Sequence, residues 1–549
     1  MYVDRFSTSL YLVIFLVNSS MILSLNQNPL LLLISFDGFR YDLLNATLVP
    51  NIWQFAQQGV HFISGSRSQY LSYTAPNHVS ISTGRLEESH GIVANRFYDP
   101  ISHEFYDLFN DTGKDGIINV SLSEHFYSGE PIWLSNERAQ EGRRSASMFW
   151  PAGDAHWPQI PHKPTVVSHG VVIKIAQSGW RISMKSWNFL RVTTIQSISL
   201  LESAPLHVDQ VLILQRYLAE PDHTLHQNGF YNGELRKKLA DLDATFHYAL
   251  KKIETDEQLA SRLNIILTAD HGHAEIDGPK NVFCISNYVN ITNITMGDNM
   301  LYVTDFERQQ NIYEKLKKAV NDGNYKINVY LKQDFPERFG YRNSPRVGDI
   351  ILEPHIGYAI LSTCPSELLT AISRNETALH MSTHGMSPDE PEMRAMLVMR
   401  GPAFNENLRV RSIANNIDLY PLMCHVLGIL EAPNNGSITN MLVALRVAKA
   451  LPLAMPDVPL KVALFNKLPT ILVTVVVPAF LLIIFCLAVY CFADSTERGA
   501  IFLSKGYRLL RSRDEGHQTY HLKKSLNLAT SHERPVNDTL MSLSSEDEL

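Results

Sequence analysis

An uninterrupted apolar run, Leu30 to Phe36 (LLLLISF), stops at Asp37-Gly38, and no other feature of the chain narrows its fold as much. A run of this length without polar alternation fits a strand covered on both faces, as in a parallel sheet flanked by helices. The carboxylate that follows then sits at the strand's carboxyl end. The pattern returns: Val211 to Leu214 leads to Pro221-Asp222, Leu263 to Leu267 leads to Asp270-His271, and Met396 to Met399 leads to Gly401-Pro402. Helical stretches, among them Gly233 to Ile253 and Phe306 to Val320, separate these runs. Alternation of this kind predicts an α/β class with a doubly wound, mostly parallel sheet, whose ligands gather outside the carboxyl ends of the strands.

The residues at those ends are chemically uniform. Asp37, Asp222 with His226, Asp270 with His271, and the late His384 are the oxygen and imidazole donors that Zn²⁺ accepts. Their recurrence after apolar runs points to a two-metal hydrolytic site rather than scattered surface charge, since paired ions can bind the attacking and leaving oxygens of a phosphorus centre. If Pro221 opens a helical turn, Asp222 and His226 fall on one face; alone, that spacing is more common in a helix surface pair. Asp270-His271-Gly272-His273 is the stronger signal, because NIILTA runs straight into it and Gly272 permits a tight turn. His273 and His380 are read as supporting or surface groups. Thr74, before Pro76 and the helix-like stretch from His78 to Thr83, carries two readings: a helix N-cap, or a hydroxyl activated by a neighbouring ion as a nucleophile.

Composition sets the outer bounds. With 549 residues, 19% charged and 45% hydrophobic, the chain can build a large core, and its net charge of −7 without a basic block argues against a nucleic-acid polymer as partner. Arg5 and the apolar stretches Leu10 to Val17 and Met21 to Leu25 predict a secretory signal peptide over 1–27. Leu468 to Ala493 holds no charged residue and is long enough to span a bilayer as a helix. Arg498, Lys505, Arg508, Arg511 and Arg513 follow it, so the positive-inside rule puts 494–549 in the cytosol. The expected layout is therefore an extracellular catalytic domain over 28–450, a stalk over 451–467, a transmembrane helix over 468–493 and a tail: a single-pass type I protein of the cell membrane. Asn45, Asn110, Asn119, Asn290, Asn293, Asn375 and Asn435 open Asn-x-Ser/Thr triplets on the outer side, predicting N-linked glycans. Cys284, Cys364 and Cys424 lie in the body, an odd count that allows at most one disulfide among them.

FDGFR, TAPNHVSISTG, ESHGIVAN, EPDHTLH, ADHGH and THGM occur in this order over most of residues 30 to 405. The set closely resembles the ectonucleotide pyrophosphatase/phosphodiesterase family of the alkaline phosphatase superfamily, specifically its type I membrane members without somatomedin-like or nuclease-like domains. The resemblance implies an alkaline-phosphatase-like fold and two Zn²⁺. One would be held by Asp222, His226 and His384; the other by Asp37, Asp270 and His271, with Thr74 bound to it. Thr74 would be the nucleophile, and Asn95 would hydrogen-bond a non-bridging oxygen of the substrate. Tyr217, five residues before Asp222, matches a family aromatic near the nucleotide pocket. Ala75 stands where nucleotide-cleaving members carry an aromatic residue, and Leu225 and Phe230 replace a family Gly and Pro. The implied substrates are extracellular nucleotides such as ATP, dinucleoside polyphosphates or NAD. Ala75 keeps a choline-phosphodiester or lysophospholipid hydrolase as the alternative. An inactive adhesion or receptor protein would lack Thr74 or a ligand, and none is missing.

Overall fold

The computed structural model describes residues 29–109, 120–140, 142–158, 166–168 and 211–446. The expected signal peptide, stalk, membrane helix and tail, and the triplets at Asn110 and Asn119, lie outside them. Among the described residues no helix is long and apolar enough to cross a membrane. Of the other triplets, Asn290, Asn293, Asn375 and Asn435 are exposed and Asn45 is half-buried.

The apolar run becomes the central strand, β1 (Leu30–Phe36), buried at all seven positions. The other strands of its sheet are β2 (Val60–Phe62), β3 (Arg144–Met148), β4 (Val166–Ser168), β5 (Val211–Leu218), β6 (Leu263–Thr268), β7 (Leu397–Arg400) and β8 (Leu408–Val410). They are ordered β8-β2-β7-β6-β1-β5-β3-β4. β5 and β6 flank β1 in parallel, with Phe36 opposite Leu218 and Ser35 opposite Thr268. This register brings Asp37 level with the ends of both neighbours, which is what places acids from three distant segments along one edge.

One expectation is corrected. Met396 to Met399 was to run like the others toward Gly401-Pro402, but β7 is antiparallel to both β6 and β2. Gly401 therefore lies beside Leu263 and Asn264, at the start of β6 and away from the acid edge. The opposite end of β7 reaches that edge: Ala395 N–H bonds to Ser66 O and Met396 N–H to Phe39 O. A run of Met and Leu buried on both faces has no inherent direction, so composition could not have told the two orientations apart.

Helices cover the sheet as their patterns require. α1 (Pro50–Gln58) and α4 (Glu234–Glu254) pack together, and α4 buries Leu235, Leu239, Leu242, Phe246, Ala249 and Ile253 on one stripe. Asp243 on that stripe is buried too, but accepts the backbone N–H groups of Asn51 and Ile52 at 3.2 and 2.8 Å, so its charge meets the positive end of α1. A smaller antiparallel sheet, Thr295–Gly297, Met300–Tyr302, Ile350–Pro354 and Ile327–Leu331, packs its own apolar cluster under the helix Phe306–Asp322. Beside it Cys284 and Cys364 form the disulfide, leaving Cys424 buried and free. Closing a loop of 80 residues is worth about 4 kcal/mol in chain entropy.

Candidate active site

Asp37 leaves β1 with its N–H on Leu218 O at 2.8 Å, and the next residue makes the site possible. Gly38 has φ +65°, and a Cβ there would lie 2.9 Å from Asp222 Cβ. The missing side chain lets Asp222 N–H reach Asp37 O at 3.0 Å, while Gly38 N–H donates to Asp270 Oδ1 at 3.1 Å. Two backbone groups of one turn thus fix two acids from elsewhere. Pro221 does open a helix, α3 (Asp222–Asn228), which puts Asp222 and His226 one turn apart on the same face. Gly272 lets the chain after β6 press on a neighbouring segment, since a Cβ there would lie 2.0 Å from Glu392 O.

Around Asp37 three atoms face one another with no hydrogen to share. Asp37 Oδ1, Asp270 Oδ2 and His271 Nε2 are buried and have no hydrogen-bond partner among the described residues. His271 Nδ1 lies 2.9 Å from Gly272 O, so it carries the ring's proton and Nε2 offers a lone pair. That lone pair lies 3.1 Å from Asp270 Oδ2 and 3.5 Å from Asp37 Oδ1. Such a set is satisfied by an added proton or by a cation, and two carboxylates with one imidazole suit Zn²⁺.

A second group lies next to it. Nδ1 of His226 is 3.1 Å from Ser382 O and Nδ1 of His384 is 2.8 Å from Ser72 O, so both rings donate there and turn bare Nε2 atoms inward. Those two Nε2 atoms are 3.1 Å apart, and lie 3.4 and 3.5 Å from Asp222 Oδ1. Two lone pairs at that separation repel unless a proton or a cation lies between them. Potential metal-binding atoms of Asp222, His226, His273 and His384 fall within 4.8 Å of one another, as do those of Asp37, Asp222 and His271. Asp222 reaches both groups, and the rings of His271 and His384 stack at 3.8 Å between them.

Charge follows geometry. Burial, then repulsion from Asp270 and Asp222, pushes the Asp37 carboxyl well above the usual carboxylate range. Burial also opposes ionisation of Asp222, but His226, His273 and His384 outweigh it and hold that carboxyl well below its usual range. Asp270 is likewise pushed up by burial and pulled down further by His271 and His78. Burial and the adjacent His271 keep His384 neutral by driving it well below the usual imidazole range. His271 is pulled the other way: burial lowers it, but the Asp270 carboxylate beside it outweighs that and raises it above the usual imidazole range. A divalent cation would bind there by displacing the proton so retained.

Thr74 is the first residue of α2 (Thr74–Thr83), so the helix begins earlier than the stretch from His78 read from sequence. It is nearly buried, at 4% exposure, on the wall of a cleft of about 1510 Å³ that also reaches Asp37, Asn95, Tyr217, Asp222, His226 and His384. Asn95 Oδ1 accepts Ala75 N–H at 2.7 Å, which leaves the amide hydrogens of Asn95 for the cleft. Residues to which the sequence gives no role hold this turn. Asn77 donates to Leu71 O and Tyr73 O, and His78 bridges Thr74 O and Ser35 Oγ at 2.8 and 2.9 Å.

Two sequence readings narrow. His273 is fully buried, with Nε2 2.9 Å from Asp222 Oδ1, and is no surface group; His380, by contrast, is exposed. Tyr217 borders the cleft, but its hydroxyl donates to Asp37 Oδ2 at 2.5 Å, so it braces that acid. Neither partner is visible in local spacing.

The family model for type I phosphodiesterase / nucleotide pyrophosphatase matches residues 31–388, which spans this whole arrangement. The chain belongs to that family. It is 33% identical over 421 residues to the mouse bis(5′-adenosyl)-triphosphatase enpp4, covering 75% of this chain and 80% of the relative. To human ectonucleotide pyrophosphatase/phosphodiesterase family member 7 it is 27% identical over 442 residues, covering 78% and 86%. Among solved structures, murine ectonucleotide pyrophosphatase/phosphodiesterase 5, inactive with a threonine replaced by alanine and complexed with AMP, superposes with a TM-score of 0.62 at 25% identity. That match covers 76% of this chain and all of the other.

Membership places the chain in the ectonucleotide pyrophosphatase/phosphodiesterase branch of the alkaline phosphatase superfamily and makes it a metal-dependent phosphodiesterase and nucleotide pyrophosphatase hydrolase. Within this family site, Tyr217→Phe removes the donor on Asp37 and is expected to weaken retention of a divalent ion about 10- to 100-fold. Chelator titration followed by metal analysis checks it. Unchanged retention with a raised KM would return Tyr217 to substrate contact.

Proposed function

We propose that this family member is a zinc enzyme that cleaves phosphodiester or pyrophosphate bonds of extracellular nucleotides through a threonine nucleophile. The observation that carries the reading is the convergence of oxygen and imidazole donors from Asp37, Asp270 and His271, and from Asp222, His226 and His384, beside the cleft that holds Thr74. Bound as two Zn²⁺, with the first group of donors on one ion and the second on the other, the metal would supply Lewis acidity to phosphoryl oxygens and lower the pKa of a nearby hydroxyl.

The chain's own residues do the rest. Thr74 Oγ1 gives up its proton and forms the bond to phosphorus while the bond to the leaving oxygen breaks on the far side, and that oxygen departs as the anion or takes a proton from solvent. Water then cleaves the threonyl ester and restores the hydroxyl. Asn95, its carbonyl committed to Ala75 N–H, presents an amide donor to a non-bridging oxygen as charge builds there, an interaction worth about 3 kcal/mol in comparable sites. The inactive threonine-to-alanine form of the murine neighbour supports the role of Thr74. Thr74→Ala should lower turnover about 10⁴-fold or more while both ions remain bound. A chelator should abolish wild-type activity and Zn²⁺ restore it; full turnover by either the variant or the stripped protein would defeat the proposal.

Adenine nucleotides are the favoured substrates, supported by the AMP complex of the murine neighbour and by the name of the mouse triphosphatase. A choline phosphodiester is the second reading, favoured by one observation. Ala75 is fully buried under the turn and offers no ring to the cleft, which instead has Tyr73, Phe109 and Asp298 on its wall. Such groups can face a quaternary ammonium. The nitrophenyl ester of thymidine monophosphate should be the better substrate; turnover confined to nitrophenylphosphocholine would reverse the order.

The catalytic body is proposed to face the outside of the cell over 28–450, preceded by a cleaved signal peptide at 1–27 and followed by a stalk at 451–467. A membrane helix at 468–493 and a cytosolic tail at 494–549 complete this layout. The exposed triplets at Asn290, Asn293, Asn375 and Asn435 support it, since glycans need surface positions. On intact cells, added glycosidase should shift the mass of the chain while an antibody to 530–549 binds only after permeabilisation. Tail labelling on unbroken cells would refute the orientation.

A further inference from the structure

His273 differs from its neighbours in one respect that assigns it a separate task. The three histidines around it each spend Nδ1 on a backbone carbonyl: His226 on Ser382 O, His384 on Ser72 O and His271 on Gly272 O. That hydrogen bond sets the tautomer and frees Nε2 for an ion. Nδ1 of His273 is buried and has no hydrogen-bond partner among the described residues. Nothing holds a proton there. Its Nε2, 2.9 Å from Asp222 Oδ1, has an acceptor at ideal distance and is where the proton is best placed.

We propose that His273 is a positioning residue, donating its Nε2 proton to Asp222 Oδ1 rather than lending a lone pair to an ion. The backbone supports a fixed ring. Arg40, just after β1, donates Nη1–H to His273 O at 2.9 Å, and Gly272 presses the turn against Glu392 O. The ring also stands edge-on to His226 and His384, with centroids 4.7 and 5.1 Å away, so it is packed on two sides by the histidines that share Asp222. A donor on Oδ1 draws charge from the one acid that reaches both groups of donors, so its carboxylate keeps one orientation and would leave an ion held there more electron-poor.

The inference rests on the two-ion reading of the site, and the test separates the two. In the full-length chain, ion content is followed under rising chelator, and the Co²⁺-substituted protein is followed by visible absorption. His273→Ala should lose one of two ions about 10- to 100-fold more readily. His273→Gln, whose amide can donate but binds Zn²⁺ poorly, should recover most of that loss and keep the wild-type Co²⁺ spectrum. If Ala does not fold, the Gln variant carries the test alone.

Retention in the Ala variant equal to wild type overturns the proposal. So does a Gln variant that fails to hold the ion and shows an altered Co²⁺ band, which would make His273 a ligand. Wild-type protein that holds no divalent ion would defeat the two-ion reading itself and this inference with it.

Discussion

Three carboxylates buried at the carboxyl edge of one sheet are the constraint from which the rest of this structure follows. Asp37, Asp222 and Asp270 come from β1, from the turn after β5 and from the turn after β6, and parallel register makes them neighbours. Burial and then repulsion among them raise Asp37, and histidines hold the other two ionised. An isolated charge moved from water to such a place is strongly disfavoured, so the fold keeps them only by supplying compensation. Part of it is built in: Gly38 N–H and Tyr217 hydroxyl each take one oxygen. The remaining oxygens lie close to one another and to imidazole nitrogens, so cations bound there would add directly to the stability of this edge.

The same network ties Thr74 to the clustered acids and histidines. Ser72, two residues before Thr74, accepts from His384 Nδ1, receives Gly385 N–H on its hydroxyl and donates that hydroxyl to Met386 O. Ser382, on the other side of His384, accepts from His226 and donates to Leu225 O at 2.8 Å. His78, one turn into α2, reaches Ser35, two residues before Asp37. Thr74 is therefore held by the chain segments that carry both groups of donors, and none of these elements can shift without moving another. In the proposed in-line displacement this coupling would hold Thr74 Oγ1 in one place.

How much of this the sequence could show depends on what each feature needs. β1 and Asp37 were legible because a long apolar run that ends in an acid fits little besides a buried strand with a carboxylate at its tip, and the spacing of Asp222 and His226 survives in any helix. The direction of β7 was not, since its residues are apolar on both faces. Spacing set His273 apart from His271 only as a supporting or surface group; what decides between those two is the fold, where one Nδ1 meets a carbonyl and the other, equally buried, lacks one among the described residues. Backbone carbonyls are present at every residue, so partners of this kind leave no trace in composition. Tyr217 stands out in the sequence as an aromatic, yet its hydroxyl is the part in use, and its acceptor is 180 positions away. The disulfide was bounded to one by counting, whereas the choice of Cys284 and Cys364 required the fold.

The division between reaction and substrate has the same origin. Chemistry at phosphorus needs a small set of donors whose identity is fixed by what metals accept, so it is written in a few residues that fold topology gathers. Recognition of the group esterified to that phosphorus falls to the outer cleft. There Tyr73 is already engaged, its ring on His384 and its hydroxyl on Asn299 Oδ1, and Ala75 is turned inward beneath Asn95. Any contact with a base or headgroup must come from residues whose type is far less constrained than that of a ligand. A site of this design can keep its reaction through wide sequence drift while its substrate changes, and that is why the acids and histidines here identify a reaction more sharply than a molecule.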